Sequence, residues 1–277
     1  MGKMDEFIKF NNQTAGRDKV FRLAQYTSRI LWYGLAKRKS CAKSAEKAKR
    51  LDESLGLMRR LLRFGRFFET LHSALPVMSS VSDPVVRTTC VLSRISSTCF
   101  MLIDHIVCLD KLGVLPPKLI NAAKWDRTST RFWLYSIVLG LIRDFYEIQR
   151  IYREEFQHVR SRRVTKSSSS NTLTDSRLPE QSHHYHHQKR AILGSLGCGS
   201  VKMVECLKQA RVFRRCVRDH GDVAVDLLKN SCDVFLPLNS LGFVNLSPAV
   251  IGLLGVISTI ASALPQINPM IKMVPAT

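Results

Sequence analysis

The run from Val234 to Ile271 carries no Asp, Glu, Lys, Arg or His, although charged residues make up 23% of the chain. Within it, Leu246–Leu264 is almost wholly apolar or small. At ~1.5 Å per residue this stretch makes a helix of about 28 Å, close to the ~30 Å hydrocarbon core of a bilayer. Pro237 and Pro248 break the earlier part, so the run is not one straight helix. The expectation is a C-terminal transmembrane helix at about 246–264. The competing reading is a core helix of a large soluble domain, and such helices usually run shorter than a full span.

The rest of the chain is basic. Of 277 residues, 42 are Lys or Arg and 22 are Asp or Glu, a formal net charge of +20. Such a balance asks for an anionic partner: a lipid surface, acidic protein or nucleic acid. The eight cysteines form no CxxC pair, and Cys90, Cys99 and Cys108 recur every nine residues, alternating sides of a helix. No metal or other cofactor is expected, and a reduced, cytosol-facing protein is the simpler reading. Met1–Asn12 is charged and has no apolar stretch of the kind a secretory leader needs.

Helical periodicity runs through the remainder. Asp18–Lys37 reads as an amphipathic helix, with Val20, Leu23, Ile30 and Leu31 on one side and Arg22, Gln25 and Arg29 on the other. In Leu51–Leu75, Leu51, Leu55, Met58, Leu61, Leu62, Gly65 and Phe68 share one broad face, and Arg59, Arg60, Arg63 and Arg66 cluster opposite. Apolar bulk facing a tight arginine arc suits an interfacial helix whose arginines pair with lipid phosphates. Amphipathicity alone leaves open whether lipid or protein covers the apolar side. Asp83-Pro84 has the form of an N-cap and first helical residue, starting a helix over Val85–Leu109 that Arg87, Arg94, Asp104 and His105 interrupt. This is a borderline membrane segment, read as a bundle or surface-lying helix. Trp125–Glu155 is the next long helix, and its uncharged stretch Phe132–Ile142 is too short to span.

The organisation expected is all-α: a membrane-associated helical bundle with amphipathic helices and the C-terminal span. Residues 1–157 form an N-terminal membrane-associated region that contains a remodelling helix at 51–75. Residues 158–190 form a disordered Ser- and His-rich linker, including Ser167–Ser170 and His183–His187. Residues 191–277 form a C-terminal helical region. In the span, Gly255, Thr259 and Ala263 lie four apart, a small-residue stripe that lets two helices approach and points to self-association.

Four stretches in series carry a resemblance. They are Gly16-Arg17-Asp18-Lys19-Val20 through Tyr26, Leu55-Gly56-Leu57-Met58-Arg59-Arg60-Leu61-Leu62-Arg63-Phe64-Gly65, Lys124-Trp125 through Arg143-Asp144-Phe145-Tyr146-Glu147-Ile148, and Cys232-Asp233-Val234-Phe235-Leu236-Pro237-Leu238. In this order, spanning nearly the whole chain and leaving out mainly the linker, they make the chain resemble the peroxin-11 family of peroxisomal membrane proteins, nearer its alpha/beta type of animals. The linker departs from that pattern in composition. The resemblance implies a non-enzymatic protein of the peroxisomal membrane, N-terminal region facing the cytosol, that elongates and tubulates the membrane and promotes division. It implies self-association, recruitment of tail-anchored fission adaptors and a dynamin-related GTPase, and insertion by a cytosolic peroxin import receptor. The family's membrane-remodelling helix matches 51–75, so Arg59, Arg60, Arg63 and Arg66 would bind anionic phospholipid and Leu51, Leu55, Met58, Leu62 and Phe68 would insert.

A second hypothesis is a channel for small metabolites, built from the terminal span and the Val85–Leu109 helix. A nucleic-acid binder is disfavoured by the long apolar run and the lack of a recognisable module. No paired carboxylates, triad, metal site or phosphate-binding loop points to an enzyme, and Asp104–His105 has no supporting third group, so no catalytic residue is expected.

Overall fold

A computed structural model of the chain describes residues 3–116, 121–170 and 220–267. Every regular element among the described residues is helical, which agrees with the all-α expectation. In order these are α1 (Lys3–Asn12), α2 (Thr14–Ala36), a short 3-10 turn (Lys39–Cys41), α3 (Ala42–Leu62), α4 (Arg66–His72), α5 (Ala74–Ser80), α6 (Pro84–Lys111), α7 (Ala122–Ser170), α8 (Gly221–Asp233), α9 (Phe235–Leu241) and α10 (Pro248–Ile267).

Local sequence explains most boundaries. Asp83 caps α6 by accepting from the Val85 and Val86 amides at 2.9 and 3.3 Å, and Pro84 takes the first helical position, where its missing N–H costs nothing. Pro248 opens α10 in the same way, and Pro237 sits in the first turn of α9, where no intrahelical donor is needed. The segment 51–75 is not the single helix expected from its periodicity. Gly65 adopts φ +80°, a left-handed conformation that ends the helical ladder, so the segment is the end of α3, a turn, α4 and the start of α5.

Two compact units are present: residues 1–146 with 222–277, and residues 147–221. The first unit contains α1–α6, α7 as far as Tyr146, and α8–α10. There α2 is the central strut, packed on α3 along one side and on α10 along another, while α4 and α5 lie against α6. One buried apolar cluster joins Val77, Val81, Val86 and Cys90, and a second joins Tyr26, Leu236 and Ile251. In the second unit, Glu147 pairs with Arg150 at 2.8 Å along α7. This helix runs to Ser170, so the expected linker begins within it. The rest of that linker, 171–190, and the helical pattern expected over 191–219 lie outside the described residues.

The first unit distributes polarity in reverse of a soluble domain. Phe68, Leu75, Phe145, Phe243 and Leu253 point outward, while Asp52, Asp104, Asp144 and Asp233 are buried. Helices α6 and α10 are both long and apolar enough to cross a bilayer. Thus α6, read from sequence as a bundle or surface-lying helix, is a second candidate span. Its charged residues did not exclude it because Asp104 and His105 turn inward, where polar partners meet them.

Candidate functional site

The polar interior of the first unit holds an open cavity of about 1110 Å³, walled by α2, α3, α6, α7, α8, α9 and α10 with Arg66 of α4. Ten Lys and Arg side chains line it against seven Asp and Glu, together with Ser93, Ser97, Ser129 and Ser136.

The arginine arc of α3 and α4 faces this interior. Arg59 donates from Nε to Asp18 at 3.0 Å and from Nη1 to Gln25 at 2.8 Å. Arg60 reaches Asp126 at 3.2 Å and lies 3.4 Å from Asp104. Arg63 donates to the other Asp104 oxygen at 3.1 Å and stacks over Phe100, 5.4 Å from its centroid. Burial, only partly offset by Asp104, pulls the Arg63 guanidinium below the ordinary arginine range, and Arg59 and Arg60 add to the effect. Among the described residues, the carboxylate paired with Arg66 is Glu69, at 3.7 Å, and it is 80% exposed. His105 contacts the Arg63 carbonyl at 3.0 Å, so the Asp104–His105 pair ties α6 to the end of α3.

Two further ion-pair centres fix the surrounding helices. Arg29 grips Asp52 through two hydrogen bonds, 2.8 and 3.0 Å, and Trp32 donates to the same carboxylate at 3.2 Å. Arg22 bonds Asp233, linking α2 to α8. Burial opposes the Arg22 charge, but Asp233 and Tyr26 override it and hold the guanidinium above its usual range. Near the other end, Arg143 bridges Asp144 and Asp226, and Asn230 donates to Asp144 at 2.6 Å. Burial raises the Asp144 carboxyl in spite of Arg143, whereas Lys229 and Arg143 outweigh burial at Asp226 and hold it low. Lys19 bonds the Ser262 carbonyl of α10. Burial, with Lys229, Arg66 and Arg22 nearby, drops its ammonium from the usual lysine range to about 8.

The apolar set of the 51–75 segment divides. Leu51, Met58 and Phe68 are outward-facing, Leu62 is half-buried, and Leu55 is buried on the side of α3 that also carries buried Ala45, Ala48 and Asp52. Leu61, which shares the apolar face read from the sequence, is also outward-facing, and sequence periodicity missed that Phe64, Leu71, Leu75 and Met78 extend the row. It also missed the carboxylate partners Asp18, Asp52, Asp126 and Asp233. Their signal was present: isolated acids among apolar and basic helical residues need a cation once buried. On α10, a Cβ added to Gly255 would lie 2.4 Å from the Tyr26 ring, and one at Gly252 would lie 2.6 Å from Ile30. Thr259 is also buried and Ala263 is half-buried. In this conformation, Gly255 permits a close approach between α10 and α2 of one chain. Arg22 and Arg29 stand over the same Tyr26 ring at 5.5 and 5.4 Å.

No group of three metal-ligating side chains gathers among the described residues. No solved structure matches the chain. Among sequences, peroxisomal membrane protein 11B of Homo sapiens is 29% identical over 98% of this chain and 100% of its own length. Peroxisomal membrane protein 11A of Bos taurus is 29% identical over 98% and 99%, and peroxisomal membrane protein PMP27 of Saccharomyces cerevisiae is 26% identical over 92% and 90%. The family model described as peroxisomal biogenesis factor 11 (PEX11) matches residues 4–267. With nearly the whole length matched, the chain belongs to the peroxisomal biogenesis factor 11 family and is a peroxisomal membrane protein involved in peroxisome biogenesis.

Proposed function

We propose that the chain elongates and tubulates the peroxisomal membrane, and so promotes peroxisome division, by seating the outer apolar row of α3–α5 in one leaflet. The observation that carries this is the exposure of Met58, Leu61, Phe64, Phe68, Leu71, Leu75 and Met78 along a short, bent amphipathic segment. A wedge at that depth expands one leaflet and favours curvature. Arg59, Arg60, Arg63 and Arg66 take part by giving up their carboxylate partners for lipid phosphates; attraction to an anionic surface contributes ~1 kcal/mol per arginine toward offsetting the lost pairs. With α6 and α10 both crossing, the two chain ends share one side. The basic N-terminal half assigns that side to the cytosol. Self-association, tail-anchored fission adaptors, a dynamin-related GTPase and a cytosolic peroxin import receptor complete the proposal by likeness to the family. The test replaces Met58 and Phe68 together by Glu in the full chain. Targeting should persist while tubulation is lost, and tubules that survive refute the wedge.

A second reading is a conducting pore for small metabolites. Its support is a charged, open cavity within a unit whose exterior is rich in apolar side chains. Purified protein in planar bilayers should raise conductance under this reading, and a pure membrane shaper should not.

A further inference from the structure

The cavity's charges do not balance evenly. Around Lys19, every nearby carboxylate already serves another cation. Asp18 is held by Arg59, Asp233 by Arg22, and Asp226 by Arg143 and Lys229. Lys19 itself bonds a neutral carbonyl of α10. Arg66 faces the same space, its carboxylate partner among the described residues being a distant, solvent-exposed Glu69. The buried Nε of Arg22 has no hydrogen-bond partner among the described residues. Lys19 and Arg66 therefore face a cavity wall where the local anions are spent, flanked by Arg22 and Lys229, whose carboxylates are already engaged. Buried positive charge without a counter-charge is costly, and an anion that enters removes that cost. Arg and Lys together suit an oxyanion: the guanidinium offers a planar fork and the ammonium a compact point charge. A space of about 1110 Å³ is ample for a metabolite-sized solute.

We infer that the part of the cavity walled by Lys19, Arg22, Arg66 and Lys229 is a binding site for a phosphoryl-bearing anion. The same chemistry has two sources, a soluble phosphorylated solute and a lipid headgroup. For the conducting reading the site supplies a solute class, and in that respect it rests on that reading. Binding is measured without flux, so intact binding with no conductance counts against the pore alone.

The experiment uses the full chain in discs of neutral phosphatidylcholine, with inorganic pyrophosphate as the probe and titration calorimetry as the readout. Saturable binding is expected, at least tenfold weaker in Lys19→Gln and in Arg66→Gln. It should be unchanged in Arg50→Gln, which removes the same charge from the exposed outer surface of α3. The groups facing Lys19 are Asp18 and Arg22 on α2, Arg66 on α4, Lys229 on α8 and the Ser262 carbonyl on α10. Of these cations, Lys19 is the one whose proton is held to about 8, so wild-type affinity should fall as pH rises through that value. This arm needs no variant to fold. Pyrophosphate displaced by phosphatidic acid in the disc, with the same dependence on Lys19 and Arg66, keeps the site and assigns it to a headgroup. Absent saturable binding, or one affinity shared by Lys19→Gln, Arg66→Gln and Arg50→Gln, overturns the inference.

Discussion

Asp104→Asn tests whether the inward arginines depend on their carboxylates. Asp104 is 4% exposed and accepts from Arg63 at 3.1 Å, with Arg60 at 3.4 Å from its other oxygen. The substitution keeps the volume and removes the charge. Arg60 retains Asp126 at 3.2 Å, so the loss falls on Arg63, for which Asp104 is the paired carboxylate. Removing one partner of a buried pair costs ~3–5 kcal/mol, because the remaining charge stays desolvated. At roughly 2–4 °C per kcal/mol for a chain region of this size, the melting temperature in detergent should fall by about 6–20 °C. Glu46→Gln is the internal control: its pair with Arg50 is 64% and 75% exposed, and a surface pair contributes at most ~1 kcal/mol. Adding Arg63→Gln to Asp104→Asn should recover part of the loss, since it removes the stranded charge. If Asp104→Asn melts no lower than Glu46→Gln, the buried network does not hold α3 to α6 and the inward arrangement of the arginines is wrong.

Two other outcomes follow from the same geometry. Gly255→Ala should destabilise the chain by about 1–3 kcal/mol, read as a lower melting temperature, because its methyl would meet the rigid, buried Tyr26 ring at 2.4 Å; the double variant with Tyr26→Leu should couple with it, and additive losses would contradict the contact. Lys19 gives a pH signature. Its folded-state value of about 8 lies below the ordinary lysine value, so the unfolded chain binds more protons between the two and stability should rise with pH across that window. Lys19→Met should flatten this rise, measured as melting temperature against pH, and an unchanged slope would remove Lys19 as its source.

Much of the architecture is legible in the sequence because it rests on period and on breaks. The cap Asp83-Pro84 and the apolar length of α10 are local signals, and each is where its chemistry places it; the helix itself runs Pro248–Ile267 rather than 246–264, because the break read at Pro248 is its first residue. The bend at Gly65 was less visible, since the heptad-like spacing of Leu51, Leu55, Met58 and Leu62 continues up to it while a glycine within a helix is only mildly unfavourable. The direction of the arginine arc was not legible at all. Periodicity shows that Arg59, Arg60, Arg63 and Arg66 share a side; it does not show what that side faces. Asp18, Asp104 and Asp126 decide this, and they lie on three other helices. For α6 the same long-range fact reverses the reading of a charged residue. Asp104 looks like an obstacle to a span when α6 is considered alone, and becomes the partner of Arg60 and Arg63 once the bundle is assembled.

The inverted polarity also sets which residue registers the state of the cavity. Phe68, Leu75 and Leu253 point outward, and the charged side chains collect inside. Arginine keeps its proton at any accessible pH, so each arginine placed there must be met by a counter-charge. That explains why Asp52 is gripped by Arg29, Asp233 by Arg22, and Asp18 by Arg59. Ten cations against seven carboxylates leave an excess within the lining, which Asp144 at Arg143 and Glu69 near Arg66 answer only in part. Water or an anion can answer the rest, or a cation can give up its proton. Lysine is the residue type able to do so, and at Lys19, where burial is joined by Lys229, Arg66 and Arg22, the proton is already held to about 8. An anion entering beside it would hold that proton more firmly, so the protonation of Lys19 reports directly on whether the cavity is filled.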